Sequence, residues 1–130
     1  MRIAVVGSRC VTDYEYVKHV LDQLVNPDLD VIVSGGARGA DSLARRYAHE
    51  YGMRFTCHEA EWNKWGKQAG FVRNKVLVAD VDRVIAFHDG KSNGTKNTLY
   101  LARKSKIPVI VFPPDGSIDM SKLDDIFLDD

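Results

Sequence analysis

The stretch Asp30-Val31-Ile32-Val33-Ser34-Gly35-Gly36-Ala37-Arg38-Gly39-Ala40-Asp41 decides the fold. Its first four residues form a short β-branched run, bounded by Pro27 before it and by Gly35-Gly36 after it. Beyond Asp41, the residues Leu43, Ala44, Tyr47 and Ala48 recur at helical spacing until Gly52 stops the helix. A buried strand that turns through glycines into an amphipathic helix is half of a β-α-β unit, and the alternation repeats along the chain. Strands are expected at residues 2–6, 30–33, 54–57, 83–87 and 109–112, each close to continuously apolar, as strands covered on both faces must be. Helices are expected from Thr12 or Asp13 to about Leu24, then over residues 41–51, 70–79 and 95–105. The simplest assembly is α/β: a single Rossmann-like doubly wound domain with a mainly parallel five-stranded sheet.

The length of 130 residues suits one domain, and 45% apolar with 28% charged residues sets the chain apart from disordered and membrane-spanning compositions. No apolar run approaches the ~20 residues of a membrane helix. The first strand begins at Arg2, which leaves no room for a signal peptide before it, so a cytoplasmic protein without a membrane partner is expected. Cys10 and Cys57 lie far apart, and neither a disulfide framework nor a structural metal is expected. His58 and His88 could join Glu59, Glu61 or Asp89 around a metal, but no such pair has ligand spacing on one helix face. No metal and no cofactor is therefore expected. Eighteen basic residues offset eighteen acidic ones, and this neutral balance disfavours nucleic acid as a partner.

Charge is nonetheless local. Arg9, Arg38, Lys64, Lys67, Arg73, Lys75, Lys91 and Lys96 sit in or beside the turns, whereas the tail carries Asp115, Asp119, Asp124, Asp125, Asp129 and Asp130. Residues 1–112 form the domain of this reading and residues 113–130 an acidic tail. In that tail Ser121-x-x-Asp124, with Leu123, Ile126 and Phe127, reads either as a short capped helix or as a loose end.

In doubly wound sheets ligands bind outside the carboxyl ends of the strands, so the turns there carry the functional reading. Gly7-Ser8-Arg9 follows the first strand and offers donors to an anion. Ser34, Gly35, Gly36, Arg38, Gly39 and Asp41 form a glycine-rich turn whose free amides, at the start of a helix, favour phosphate. Its spacing is neither GxGxxG nor GxxxxGK[ST], which disfavours an ordinary dinucleotide dehydrogenase or a P-loop enzyme. Asp41 reads either as a helix cap or as a ligand contact. The long connection from Cys57 to Gly70 holds Trp62 and Trp65, which either stack on a base or close the sheet edge. Arg73-Asn74 follows, with a guanidinium suited to clamping phosphate. Gly90, Gly94 and Thr95 form a second glycine-rich turn that also runs into a helix, so the two turns together make a phosphate cradle.

The segments Gly35–Asp41, Trp65–Asn74, Asp82–Phe87 and Gly94-Thr95 resemble the YspA-like branch of the SLOG superfamily, small Rossmann-like domains of bacteria and their phages. The resemblance runs through residues 1–112 and implies binding of a small phosphorylated nucleotide or an NAD-derived nucleotide by a sensor, carrier or sequestering module. It also implies a homo-oligomer, since relatives often pair. Relatives include the lonely-guy phosphoribohydrolases and the DNA-processing protein DprA, which grips single-stranded DNA. In the former, a glutamate in the second turn works with an upstream arginine; Arg73 is the matching arginine here, but Thr98 occupies the glutamate's place. A threonine hydroxyl cannot stabilise the cationic sugar of glycosidic cleavage. The enzymatic alternative, an N-glycosidic hydrolase of nucleoside monophosphates, would need Arg73 with Asp41, Glu61 or Asp89 as its carboxylate. The third reading is a DprA-like grip on a single strand.

Overall fold

The computed structural model describes residues 1–115 and 127–128. Strands β1 (Arg2–Gly7), β2 (Val31–Ser34), β3 (Arg54–Cys57), β4 (Arg83–Phe87) and β5 (Val109–Phe112) are parallel and lie in the order β3-β2-β1-β4-β5. Between them run helices α1 (Tyr14–Leu24), α2 (Ala40–Glu50), α3 (Trp62–Trp65), α4 (Ala69–Ala79) and α5 (Asn93–Lys104). The sheet is the doubly wound, mainly parallel one expected. It gains a two-residue strand, β6 (Phe127–Leu128), antiparallel to β5 with Ile110 opposite Phe127. The capping-box motif at Ser121–Asp124 lies outside the described residues.

Local chemistry sets the element ends. Asp13 caps α1, its Oδ1 accepting from the Tyr16 amide at 3.1 Å. Helix α5 starts at Asn93, two residues ahead of the expected Thr95, because the Ser92 hydroxyl accepts from the Thr95 amide and so caps one residue before Asn93. The connection between Cys57 and Gly70 contains the single turn α3 and a 3-10 turn over Gly66–Gln68, pieces too short to leave a periodic apolar signature.

Side chains along β1 alternate between two cores, as the period of a strand demands. Ile3 and Val5 pack with Val17, Val20 and Leu21 of α1 and Ala44 and Tyr47 of α2; Ala4 and Val6 pack with Leu77 and Val78 of α4 and Leu99 and Ala102 of α5. Helices thus cover both faces, which is why the strands read as continuous apolar runs. The buried Tyr47 phenol keeps a partner by donating to Asp22 Oδ1 at 2.8 Å. No helix among the described residues is long and apolar enough to cross a membrane. Sequence order along the sheet reverses between β1 and β4, and a crevice opens there at the strands' carboxyl ends.

Candidate functional site

Two strand-to-helix turns wall this crevice, and each is held by its own carboxylate. In the first turn, Asp41 lies in the opening turn of α2 rather than at its cap, which is Gly39. Its Oδ2 reaches back to accept from the Ala37 amide at 3.0 Å. Gly39 has φ of 77°, and a Cβ there would collide with the Ser8 carbonyl oxygen, so only glycine lets this turn touch the Gly7-Ser8-Arg9 turn after β1. In the second turn, Asp89 Oδ1 accepts from the Lys91 and Ser92 amides at 2.8 and 2.9 Å, while the Asp89 amide donates to Ser8 Oγ at 3.0 Å. Those backbone donors hold the Asp89 carboxyl down at about 2.

Helix α4 supplies the bridge between the turns. The Arg73 guanidinium donates through Nη1 to the Gly35 carbonyl and through Nε to Asn74 Oδ1 at 3.0 Å. Asn74, buried, donates in turn to Asn97 Oδ1 at 3.0 Å and to the Gly94 carbonyl at 3.3 Å. The dipeptide therefore spans from one turn to the other. A cavity of about 300 Å³ lies among them, lined by Val6, Gly7, Arg9, Gly35, Asp41, Arg73, Asn74, Leu77, Gly94 and Thr95. Burial pushes the Asp41 carboxyl up to about 6, against the opposing pull of the Ala37 and Gly35 amides and the Arg73 charge.

The remaining expected residues fall elsewhere. Gly36, Arg38 and Trp62 line an adjoining groove of about 760 Å³, which shares Arg9, Gly35, Arg73, Asn74 and Gly94 with the cavity. Ser8 and Ser34 are buried and support the turns through hydrogen bonds. Trp65 and Glu61 line a different depression with Val72 and Val76. Gly90 and Asp89 line neither cavity nor groove. Of the residues considered for catalysis, the cavity brings together only Arg73 and Asp41.

Sequence reasoning gave no ligand role to Ser92 and Asn93 in the cavity wall or to Phe71 in the groove, and it read Glu59, also in the groove, as a metal candidate and Lys67 as part of the local positive charge. The Ser92-x-x-Thr95 spacing, a serine cap, was the signal available for the first of these. Thr98 also lines the cavity, with its hydroxyl donated to the Gly94 carbonyl of its own helix at 3.2 Å.

Fold and site together define a Rossmann-like domain whose cavity lies at the reversal of strand order, between two glycine-rich turns. The chain belongs to the YspA, cpYpsA-related SLOG family (YAcAr), whose model matches residues 1–65. It is 41% identical over 119 residues to the Gene 61 protein of Mycobacterium phage D29, across 85% of this chain and 95% of that protein. Two solved structures share the fold. DNA processing protein A from Streptococcus pneumoniae superposes with a TM-score of 0.73 at 23% identity, covering 93% of this chain and 53%, about half, of that one. DNA processing protein A from Helicobacter pylori, whose structure describes a single-stranded DNA binding mode, gives 0.67 at 24% identity, covering 96% and 72%.

This last finding overturns the expectation that disfavoured nucleic acid as a partner. The physical error was to weigh net charge, a sum over the whole chain. Among the described residues that line the groove, Arg9, Arg38, Lys67 and Arg73 stand against the single acidic residue Glu59, while six of the balancing aspartates lie at residue 115 and beyond.

Proposed function

We propose that this domain binds a small phosphorylated nucleotide in the cavity between the Gly35–Asp41 and Ser92–Thr95 turns, as a sensor, carrier or sequestering module. The observation that carries the reading is the bridge: Arg73-Asn74 joins the two turns across a cavity flanked by the first turns of α2 and α5. Phosphate there would gain the guanidinium, which donates bidentately, together with the amides and dipoles of two helix starts. The N-glycosidic alternative is supported by Asp41, which among the described residues is the carboxylate that lines the cavity with Arg73. Its Oδ2 is already committed to the Ala37 amide, which leaves less of the carboxylate to stabilise a sugar cation.

A second reading, a grip on single-stranded nucleic acid, is favoured by the groove itself. Trp62 and Phe71 are 60% and 49% exposed along its basic walls, and stacking rings in a basic channel are what sequence-tolerant strand binding uses. Thermal shift and base release with AMP and thymidine monophosphate, for the native protein and Arg73→Ala, test the leading reading. A shift without turnover, weakened about tenfold or more in affinity by Arg73→Ala, is expected. Base release that Arg73→Ala abolishes would replace binding with hydrolysis. No shift, with salt-sensitive retention of a ten-nucleotide single strand, would transfer the function to the groove.

A further inference from the structure

Helix α5 divides its residues between two depressions. Thr95 and Thr98 line the crevice cavity, whereas Lys96, Leu99, Tyr100, Arg103 and Lys104, recurring at helical spacing, line a second depression of about 650 Å³ with Val111 of β5. His88 also borders it, and none of these residues lines the cavity or the groove. Among the described lining residues three are lysine or arginine and none is acidic. The helix dipole accounts for part of this charge: Arg103 and Lys104 stand in the last turn, where a cation is favoured. Lys96 stands toward the opposite end, where the dipole disfavours one. Lys96 and Lys104 enter no ion pair among the described residues. Tyr100 lies between these charges along the helix and is 59% exposed, beside Leu99 and the half-buried Val111.

From this stripe we infer that α5 and β5 form a docking surface for an extended acidic segment of a partner protein, anchored by an apolar side chain. Seven or eight residues of helix separate Lys96 from Arg103 and Lys104 by about 10–12 Å. An extended peptide covers that span in about three or four residues. Two carboxylates at that spacing therefore meet the cations at both ends of the stripe, and an apolar side chain between them meets Leu99, Tyr100 and Val111. The aliphatic pair suits such a side chain, whereas a nucleic-acid strand draws on successive aromatic rings. The surface is independent of the nucleotide reading, because it shares no lining residue with that site.

Fluorescence anisotropy of the 130-residue chain with labelled Asp-Asp-Leu-Phe-Asp-Asp tests the inference, with hexa-aspartate and Lys-Lys-Leu-Phe-Lys-Lys as controls. The acidic-apolar peptide should bind about tenfold more tightly than either control, since it alone supplies both charge and anchor. Reversing two charges, Lys96→Glu with Lys104→Glu, should weaken it about tenfold or more. Tyr100→Ala should weaken it as well. All three positions are exposed, so circular dichroism and melting temperature should stay as in the native protein. Absence of peptide binding, equal binding of hexa-aspartate, or binding untouched by the double reversal in a folded variant overturns the inference. So does a ten-nucleotide single strand that binds more tightly than the peptide and is released by the same reversal, which assigns the stripe to nucleic acid.

Discussion

Replacing Asp41 by asparagine should change stability in a way that depends on pH, and the size follows from its burial. In the native protein the carboxyl titrates at about 6 instead of 3.8, because the low-polarity cavity wall penalises its charge more than Arg73 and two amides reward it. Between those values the folded chain holds a proton that the unfolded chain has released. The contribution of Asp41 to stability therefore falls as pH rises from about 4 to about 6 and is flat on either side of that window. A shift of roughly two units at 1.36 kcal/mol each makes the fall about 3 kcal/mol.

Asparagine keeps an oxygen that accepts from the Ala37 amide at the Asp41 position and carries no charge to bury. At pH 4 the two proteins should unfold alike. At pH 8, Asp41→Asn should be the more stable by about 3 kcal/mol, because the amide bonds to the charged carboxylate are already contained in the shift. Urea unfolding from pH 4 to pH 8, followed by circular dichroism because Trp62 and Trp65 are already exposed, measures both curves. Parallel curves, or an asparagine variant less stable at pH 8, would refute the claim that burial governs this carboxyl. A confirmed gain would also mean that the native chain retains the aspartate at a cost in stability, as functional sites often do.

Two further outcomes follow from the turns and caps. Gly39→Ala should destabilise by about 2–4 kcal/mol, since its φ of 77° and the nearby Ser8 carbonyl leave no room for a Cβ; a melting temperature unchanged within error would contradict the close contact. Asp13→Ala should remove the α1 cap at a cost of about 1 kcal/mol, read from the urea midpoint at unchanged slope, and Asp13→Ser should restore most of it.

The sequence by itself determined the layers of this protein. Continuous apolar strands such as Ile3–Val6 and Val84–Phe87 can be stable only when covered on both faces, and the helical spacing of Val17, Val20, Leu21 and of Leu99 and Ala102 supplies the covers. The first turn was equally legible, since a strand ending in Gly35-Gly36 and running into a helix has few other conformations. Tertiary structure alone decided which expected residues meet. Ser8 and Asp89 read as functional groups, but the Ser8 hydroxyl accepts from the Asp89 amide and so ties two turns together, while the Asp89 carboxylate accepts from the Lys91 and Ser92 amides of its own turn. Trp62 and Trp65 are three residues apart, yet a single turn of helix sends them to different depressions. Arg73 and Asn74 come from a helix whose apolar pattern says nothing of the turns it bridges, because the contacts from Arg73 to Gly35 and from Asn74 to Gly94 span 38 and 20 residues. Periodicity reports which face of an element is buried, whereas a site is assembled from contacts distant in sequence, and those exist only once the sheet has brought its strand ends together.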